Sequence, residues 1–265
     1  MSRLSMLTAI SLVFVCSLAR ADEWSKTFDL TGKPDLKIET SDANISVDVW
    51  DQPQIAAHVT TEGYKIGEHG IRIEEHQTGD SVELQVRFPH TYVSFEVRPH
   101  HHKVEIDIHM PREGQVNLRT GDGHIRLSGL KGNITLDSGD GHQDIDSVDG
   151  TLKAHAGDGH IRATGRFDGL DISTGDGRID IRVLPGSTLA SGWDFRAGDG
   201  SITVQVPEQL SADVELHTGD GHINVDVPIA VSGRMATNSL HGKLNGGGNV
   251  LNIHTGDGSI HLEKS

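Results

Sequence analysis

The sequence predicts an all-β protein, built as a parallel β-solenoid of short two-strand coils of about 18–21 residues. The tripeptide Gly-Asp-Gly occurs seven times after residue 120, and its first four copies are spaced by 18 residues. A fixed period near 20 residues is typical of solenoids, in which each coil buries its apolar side chains only by stacking on its neighbours. Apolar and polar residues also alternate with period two, as half-buried strands require.

The seven Gly-Asp-Gly copies are the predicted corners of the coils, because each follows a small residue (Thr, Ser or Ala) and precedes an alternating segment. The later steps between copies are 23, 21 and 37 residues. We interpret the longer steps as insertions at the opposite corner, around Pro185 and Pro207, and the last step as hiding a decayed coil near residues 239–244. The predicted corner residues are Gly121, Asp122, Gly123, Gly139, Asp140, Gly141, Gly157, Asp158, Gly159, Gly175, Asp176, Gly177, Gly198, Asp199, Gly200, Gly219, Asp220, Gly221, Gly256, Asp257 and Gly258.

Two short strands flank each predicted corner. Leu152 and Ala154 lie before the third corner, and Ile161 and Ala163 lie after it. Alternate residues of a strand share one face, so these side chains point inward. Each coil then pairs with the next at about 4.8 Å.

Three segments follow from these patterns: a signal peptide over residues 1–21, a β-rich region over residues 22–110, and the repeat solenoid over residues 111–265. We expect the middle segment to cap one end of the solenoid. Its residues 40–47 align with residues 120–127 around the first corner. This alignment favours an elaborated end of the same fold over a separate domain.

The first 21 residues have the pattern of a secretory signal. Arg3 precedes a short apolar stretch, which ends at Ala19-Arg20-Ala21, an Ala-x-Ala cleavage site. The stretch is too short for a stable membrane span. We therefore expect an exported protein, periplasmic or on the surface of a bacterium, with no transmembrane segment in the mature chain. Cys16 is the only cysteine and lies inside this signal, so disulfides and thiol chemistry are excluded.

The charge of the chain limits its partners. The formal net charge is −15, and loss of Arg3 and Arg20 with the signal would make it −17. No basic patch is evident, which argues against nucleic acid and anionic lipid as ligands. Acidic character is compatible with divalent cations, but the sequence requires no cofactor.

The repeated Thr-Gly-Asp-Gly-x-Ile unit resembles the bacterial domain family of unknown function known as DUF4097 and labelled "putative adhesin". The segment Ile45–Asp51, which ends in Trp-Asp, followed by the alternating residues 54–59, supports the same resemblance. The similarity covers most of residues 30–262. It implies an adhesin-like role and carries over no catalytic residue.

The seven corner aspartates have two interpretations. In the first, each side chain accepts main-chain N–H groups in an Asx-type turn, while the glycines adopt positive φ. In the second, the stacked carboxylates form a Ca²⁺ ladder. Calcium-binding nonapeptide repeats have a different motif and period, so we favour the first interpretation and assign no metal ligands.

Histidine is unusually frequent, with 17 copies. His124, His142, His160 and His222 directly follow a corner and point outward, and the first three are predicted to stack on successive coils. Outward positions are also predicted for His155, His217 and His254, and a loop for His100-His101-His102. Such residues can bind Zn²⁺, Ni²⁺ or Cu²⁺, or charge together at low pH, or simply fill a solvated face.

The function predicted from these features is a non-catalytic, exported cell-envelope protein, an adhesin-like structural or binding module for an envelope or surface ligand. A Ca²⁺ or transition-metal binding repeat protein is one alternative. A polysaccharide-active β-helix enzyme is the second, although no acid or base stands apart from the repeat. Open strand edges at the coil ends also predict possible self-association, most simply at the C-terminal end, where the chain stops directly after a strand.

Overall fold

The computed structural model describes residues 22–89, 103–231 and 237–265. Over these residues it contains 21 strands and no helix, which confirms the predicted all-β solenoid. The predicted signal peptide and the run His100–His102 lie outside the described residues.

The strands are numbered in the order in which they occur along the chain. The strands up to and including the one that follows the first Gly-Asp-Gly corner are β1 (Asp22–Asp29), β2 (Asp35–Thr40), β3 (Asn44–Trp50), β4 (Gln54–Glu62), β5 (Arg72–Thr78), β6 (Ser81–Arg87), β7 (Lys103–Pro111), β8 (Glu113–Thr120) and β9 (Ile125–Ser128). The remaining strands are β10 (Lys131–Ser138), β11 (Gln143–Ala156), β12 (Ile161–Thr174), β13 (Ile179–Val183), β14 (Trp193–Ala197), β15 (Ile202–Val206), β16 (Ala212–Thr218), β17 (Ile223–Val225), β18 (Ile229–Val231), β19 (Ser239–Leu244), β20 (Val250–Thr255) and β21 (Ile260–Lys264).

The strands form two ladders, one on each side of the core. The first ladder holds the strands that precede the corners, with β5 and β6 added at one end and β19 and β18 at the other, in the order β5-β6-β2-β8-β10-β11-β12-β14-β20-β16-β19-β18. The second ladder holds the strands that follow the corners, with β1, β4 and β7 added at one end, in the order β1-β4-β7-β3-β9-β11-β12-β13-β15-β21-β17. The long strands β11 and β12 each pass around the corner opposite the Gly-Asp-Gly corners, so each contributes to both ladders.

Alternate residues of both ladders fill one continuous hydrophobic core that extends from Phe28 to Leu262. Ile and Leu side chains dominate it, and its largest fully buried members include Trp193, Phe167 and Phe195. Each buried aliphatic side chain contributes about 1.5–3 kcal/mol relative to an exposed one. The period-two pattern therefore fixes which face of every strand points inward.

The order of the last coils differs from the order of the chain. The strands β20 and β21 lie between β14/β15 and β16/β17, so the final coil is inserted between the two coils that precede it in sequence. The predicted decayed coil at residues 239–244 is wrong. That segment is β19, which runs antiparallel to β16 and, with β18, extends the first ladder beyond the last complete coil.

The sequence predicts an open end of the solenoid at the C-terminal residues, and this prediction is wrong. The amide of Ser265 donates to the carbonyl of Val206 at 3.0 Å, inside the stack. The exposed edges at this end belong to β17 in the second ladder and to β18 in the first.

The N-terminal region shows the same kind of insertion. The strands β2 and β3 form a coil between β6/β7 and β8/β9. Ile45 pairs in register with Ile125, and Val47 with Leu127, as the alignment of residues 40–47 with residues 120–127 requires. Antiparallel strands β1, β4 and β5 then cover the outer coil.

Candidate binding surface

The first glycines of the Gly-Asp-Gly corners form a main-chain ladder along one edge of the solenoid. The amide of Gly139 donates to the carbonyl of Gly121 at 2.6 Å, and that of Gly157 donates to Gly139 at 2.8 Å. The ladder continues through all seven copies in spatial order, with Gly256 between Gly198 and Gly219. Each corner therefore binds the next through main-chain groups.

The second glycine of each corner is required because adjacent coils approach so closely. A Cβ atom on Gly159 would lie 2.1 Å from the carbonyl oxygen of Gly141, and one on Gly200 would lie 1.6 Å from that of Gly177. No Gly-Asp-Gly glycine is among the residues with positive φ, so the expected left-handed conformation is wrong. Close stacking, rather than backbone conformation, excludes a side chain here.

The small residue before each corner has a specific role where it is a threonine. The hydroxyl of Thr255 donates to the carbonyl of Gly200 at 2.7 Å, and that of Thr218 donates to Gly258 at 2.7 Å. Both threonines are fully buried. These hydroxyls satisfy corner carbonyls of the neighbouring coil, a bond that the sequence pattern alone did not reveal.

The corner aspartates project into solvent as an exposed row. Their carboxylates accept no hydrogen bond from any residue that the structure describes, so the expected Asx-type bonding is wrong. Within the described ranges, no group of three His, Cys, Asp or Glu residues is placed to hold a metal ion. Each coil contributes a single carboxylate, and a Ca²⁺ ion requires six to eight oxygen ligands.

Three histidines stack beside this row, as the sequence predicted. The ring centroids of His124 and His142 are 5.1 Å apart, and those of His142 and His160 are 4.9 Å apart. The Nδ1 atom of each ring accepts the main-chain N–H of the residue one coil further on, at 2.9–3.1 Å. Asn44 begins the series, because its Oδ1 accepts the amide of His124 at 2.9 Å.

These hydrogen bonds fix the tautomer of the three histidines. A neutral imidazole has one protonated nitrogen, and an accepting Nδ1 places that proton on Nε2. The protonated Nε2 has no lone pair for a metal, whereas a metal-binding histidine donates its second N–H to a protein acceptor. Coordination of Zn²⁺, Ni²⁺ or Cu²⁺ by this stack would therefore break the bonds that join the coils.

Of the other histidines predicted to point outward, His222 is exposed directly before β17 of the second ladder, and His155, His217 and His254 lie on the first ladder. His217 and His254 stack at 5.1 Å between neighbouring coils. His155 Nδ1 lies 2.9 Å from the Ser173 hydroxyl, and Asp137 lies in register on the other side of His155. Ser173, His155 and Asp137 are the residue types of a catalytic triad, but they do not have its geometry. Within the described residues, Asp137 forms an ion pair with Arg119 and none with His155.

The outer face of the second ladder carries three adjoining grooves, of about 320, 340 and 330 Å³. They cross β1, β4, β7, β3, β9, β11 and β12 and share lining residues. Asp107 and Ser46 belong to the first two, Arg126 and Asp144 to the first and third, and Asp48 to the last two. We call this continuous surface the grooved face.

The grooved face is built by strand register. Asp107, Ser46, Arg126, Asp144 and Arg162 occupy successive strands at one level, so their side chains project outward in a single row. Arg162 approaches Asp144 at 3.9 Å. A second row contains Asp48 and Asp146. Acidic groups outnumber basic ones, and rigid backbone pairing fixes their spacing.

The carboxyl groups with a lowered pKa are found on other parts of the molecule. A hydrogen bond from Lys37 lowers the pKa of Glu83, and one from Lys33 lowers that of Glu113. The main-chain N–H of Thr31 lowers the pKa of Asp80. A lowered pKa suits a fixed charge rather than the proton donor that glycoside hydrolysis needs.

No helix among the described residues is long and apolar enough to cross a membrane.

No curated protein sequence matches the chain. Among solved structures it is similar to a "putative cell adhesion protein" from Clostridium sporogenes, at 14% identity, covering 93% of this chain and 100% of that one with a TM-score of 0.46. It is also similar to a "putative adhesin" from Bacteroides fragilis, at 15% identity, covering 91% and 96% with a TM-score of 0.43.

The family model of the Toastrack domain DUF4097 matches residues 35–263, and so spans nearly all of both ladders and all seven corners. This match agrees with the resemblance carried by the Thr-Gly-Asp-Gly-x-Ile repeat. The chain belongs to the DUF4097 (Toastrack) family.

Proposed function

We propose that the protein is an exported, non-catalytic cell-envelope module with an adhesin-like role, which binds an envelope or surface ligand through its grooved face. The Gly-Asp-Gly corners serve as structural turns that hold the coils in register. The signal-like pattern of residues 1–21 supports export. The ligand is a polar polymer of the envelope, because the surface that meets it is polar.

The continuity of the grooved face is the observation that carries this proposal. Three grooves adjoin without a break and are lined by exposed or partly exposed carboxylates. Asp48 and Asp107 have no ion-pair or hydrogen-bond partner in the described part of the chain. Unpaired carboxylates on a rigid surface are available to accept hydrogen bonds from hydroxyl or amide groups of a ligand.

A binding role fits the chemistry of the site better than catalysis. Asp48 and Asp107 lie on an open sheet face, and no loop of the described residues closes over them. Catalysis of glycoside cleavage requires two carboxyl groups flanking an enclosed bond, one of them a proton donor. The grooved face provides many similar carboxylates in open register, which suits recognition of an extended ligand.

Co-sedimentation with isolated bacterial envelopes tests the proposal. The purified chain, without residues 1–21, is mixed with envelopes, and the bound fraction is measured at increasing envelope concentration. We expect saturable binding. The triple substitution Asp48→Asn, Asp107→Asn and Asp146→Asn should weaken it at least tenfold, because three carboxylates of the grooved face are lost.

The matched control changes the same number of charges on the corner row, with Asp122→Asn, Asp140→Asn and Asp158→Asn. This variant should bind like the unmodified chain. Absence of binding, or equal loss in both variants, would contradict the proposed site. Release of soluble sugars from the envelopes during the assay would favour the enzyme alternative.

A further inference from the structure

The two ends of the solenoid differ in how they protect their strand edges. At the N-terminal end, Lys26 of β1 pairs with Glu75 of β5 at 2.7 Å and thereby links the two ladders. The same ammonium lies 5.3 Å from the ring of the buried Phe28. Charged groups at an edge prevent another strand from adding to it.

At the opposite end, the inward positions of the described edge strands β17 and β18 hold only apolar side chains. In the part of the chain that the structure describes, β17 pairs with β21 alone. Ile223 and Val225 point toward the core but are only partly buried, whereas their register partners Ile260 and Leu262 are fully buried. Val231, at the end of β18, is 44% exposed. The apolar interior therefore reaches the surface here.

The hydrogen bonds between β17 and β21 show which main-chain groups of β17 face away from β21. The carbonyl of His222 accepts the amide of Ile260 at 2.9 Å, and the amide of Asp226 donates to Leu262 at 2.8 Å. Alternate residues of a parallel strand bond to opposite sides. The N–H and C=O groups of Ile223 and Val225 consequently face away from β21, toward the open side.

The first ladder extends further than the second at this end. The strands β19 and β18 add to β16 beyond the last complete coil, and no described strand lies opposite them in the second ladder. The result is a slot. The edge of β17 forms its wall, and the inward side of β18, with Ile229 and Val231, forms its floor.

We propose that this slot binds one extended strand of a partner protein, which adds to β17 as a further strand of the second ladder. The bound strand has apolar residues at alternate positions, facing the core, and at least one basic residue outward. The charge follows from Asp226, which is exposed directly after β17, and from Glu263, which lies next to it on β21. Main-chain bonds supply affinity, and the alternating side chains supply specificity.

A second copy of this chain fits the slot poorly. Antiparallel pairing of two β17 edges keeps both inward faces on the same side, because strands paired in this way share a face. The strands β18 and β19 of one copy would then collide with β16 of the other. Head-to-tail stacking would instead meet the charged edge that holds Lys26.

Fluorescence anisotropy with a labelled synthetic peptide tests the proposal. The probe alternates valine with lysine and threonine over about nine residues, within the roughly 3–10 residues that strands usually span. We expect saturable binding that the Val225→Lys variant weakens at least tenfold, because an inward lysine blocks the edge. The control Asn117→Lys adds the same charge to an exposed position on the first ladder and should bind normally.

Three further measurements control for unfolding of the variant, for binding without strand pairing, and for self-association of the chain. Thermal melts establish that Val225→Lys remains folded, and the milder Val225→Thr tests the same contact if it does not. A probe with proline at each apolar position should fail to bind. No binding by the alternating probe up to about 1 mM, or equal binding by the proline probe, would overturn the proposal. Sedimentation showing a dimer that Val225→Lys abolishes would assign the edge to a second copy instead.

Discussion

Alanine substitutions within one corner test why the Gly-Asp-Gly motif contains glycine. If close stacking of the coils requires glycine, these substitutions destabilise the fold, whereas a role in ligand binding alone predicts no loss of stability. In Gly159→Ala, the new Cβ atom meets the Gly141 carbonyl oxygen at 2.1 Å, so the corner must move outward by almost 1 Å. That shift disrupts the bonds from the amides of Gly157 and His160 to the preceding coil. At about 1 kcal/mol each, with the steric strain added, the expected loss of stability is about 2–4 kcal/mol.

Two other glycines provide a graded control for that substitution. A Cβ atom on Gly157 would lie 2.9 Å from the Gly139 oxygen, and one on Gly248 would lie 3.2 Å from the Ser211 oxygen. Denaturant unfolding followed by circular dichroism should rank the losses as Gly159→Ala, then Gly157→Ala, then Gly248→Ala near zero. A loss for Gly159→Ala below about 0.5 kcal/mol, or one no larger than that for Gly157→Ala, would refute the stacking argument.

Three further predictions concern the polar groups of the solenoid. His142→Asn should retain stability while His142→Ala loses about 1 kcal/mol in chemical denaturation, because the asparagine Oδ1 can accept the main-chain N–H of His160, just as Asn44 Oδ1 accepts that of His124. An equal loss in both variants would show that the ring stack, not the hydrogen bond, matters. Asp80 has a lowered pKa, so its bond to Thr31 stabilises the fold above the unfolded-state pKa, near 3.9, and is lost as pH falls through the folded value. The difference in melting temperature between the chain and Asp80→Asn should therefore be largest near neutral pH and vanish in strong acid; a constant difference would contradict this linkage. Calcium at millimolar concentration should leave the melting temperature unchanged within about 1 °C, and a rise of several degrees would restore the calcium ladder.

The sequence was sufficient to predict the coils but not their order. Periodic Gly-Asp-Gly corners and alternating apolar residues determine which side chains point inward, and Leu152 and Ile161 do so. The insertion of β20 and β21 between earlier coils has no local signal, because each corner pairs equally well with any other copy of the same motif. The direction of β19 also has no signal in the sequence, because alternation is the same in parallel and antiparallel strands.

The site was predicted less completely than the fold. The outward row and the stack of His124, His142 and His160 follow directly from strand parity and the 18-residue period. The bonds at Nδ1 and the threonine hydroxyl bonds depend on distances between coils, which the sequence does not contain. The grooved face brings together residues that are far apart in the sequence, such as Asp48 and Asp146, and only the strand register shows that they are neighbours in space.

Hydrogen–deuterium exchange of the chain, alone and bound to isolated envelopes, tests the central claim most directly. Binding at the grooved face predicts new protection in peptides that cover β3, β7, β9 and the first half of β11. Peptides that contain the Gly-Asp-Gly corners should exchange equally in both states. Protection confined to the corners, or the absence of any protected peptide, would contradict the assignment of the grooved face as the binding surface.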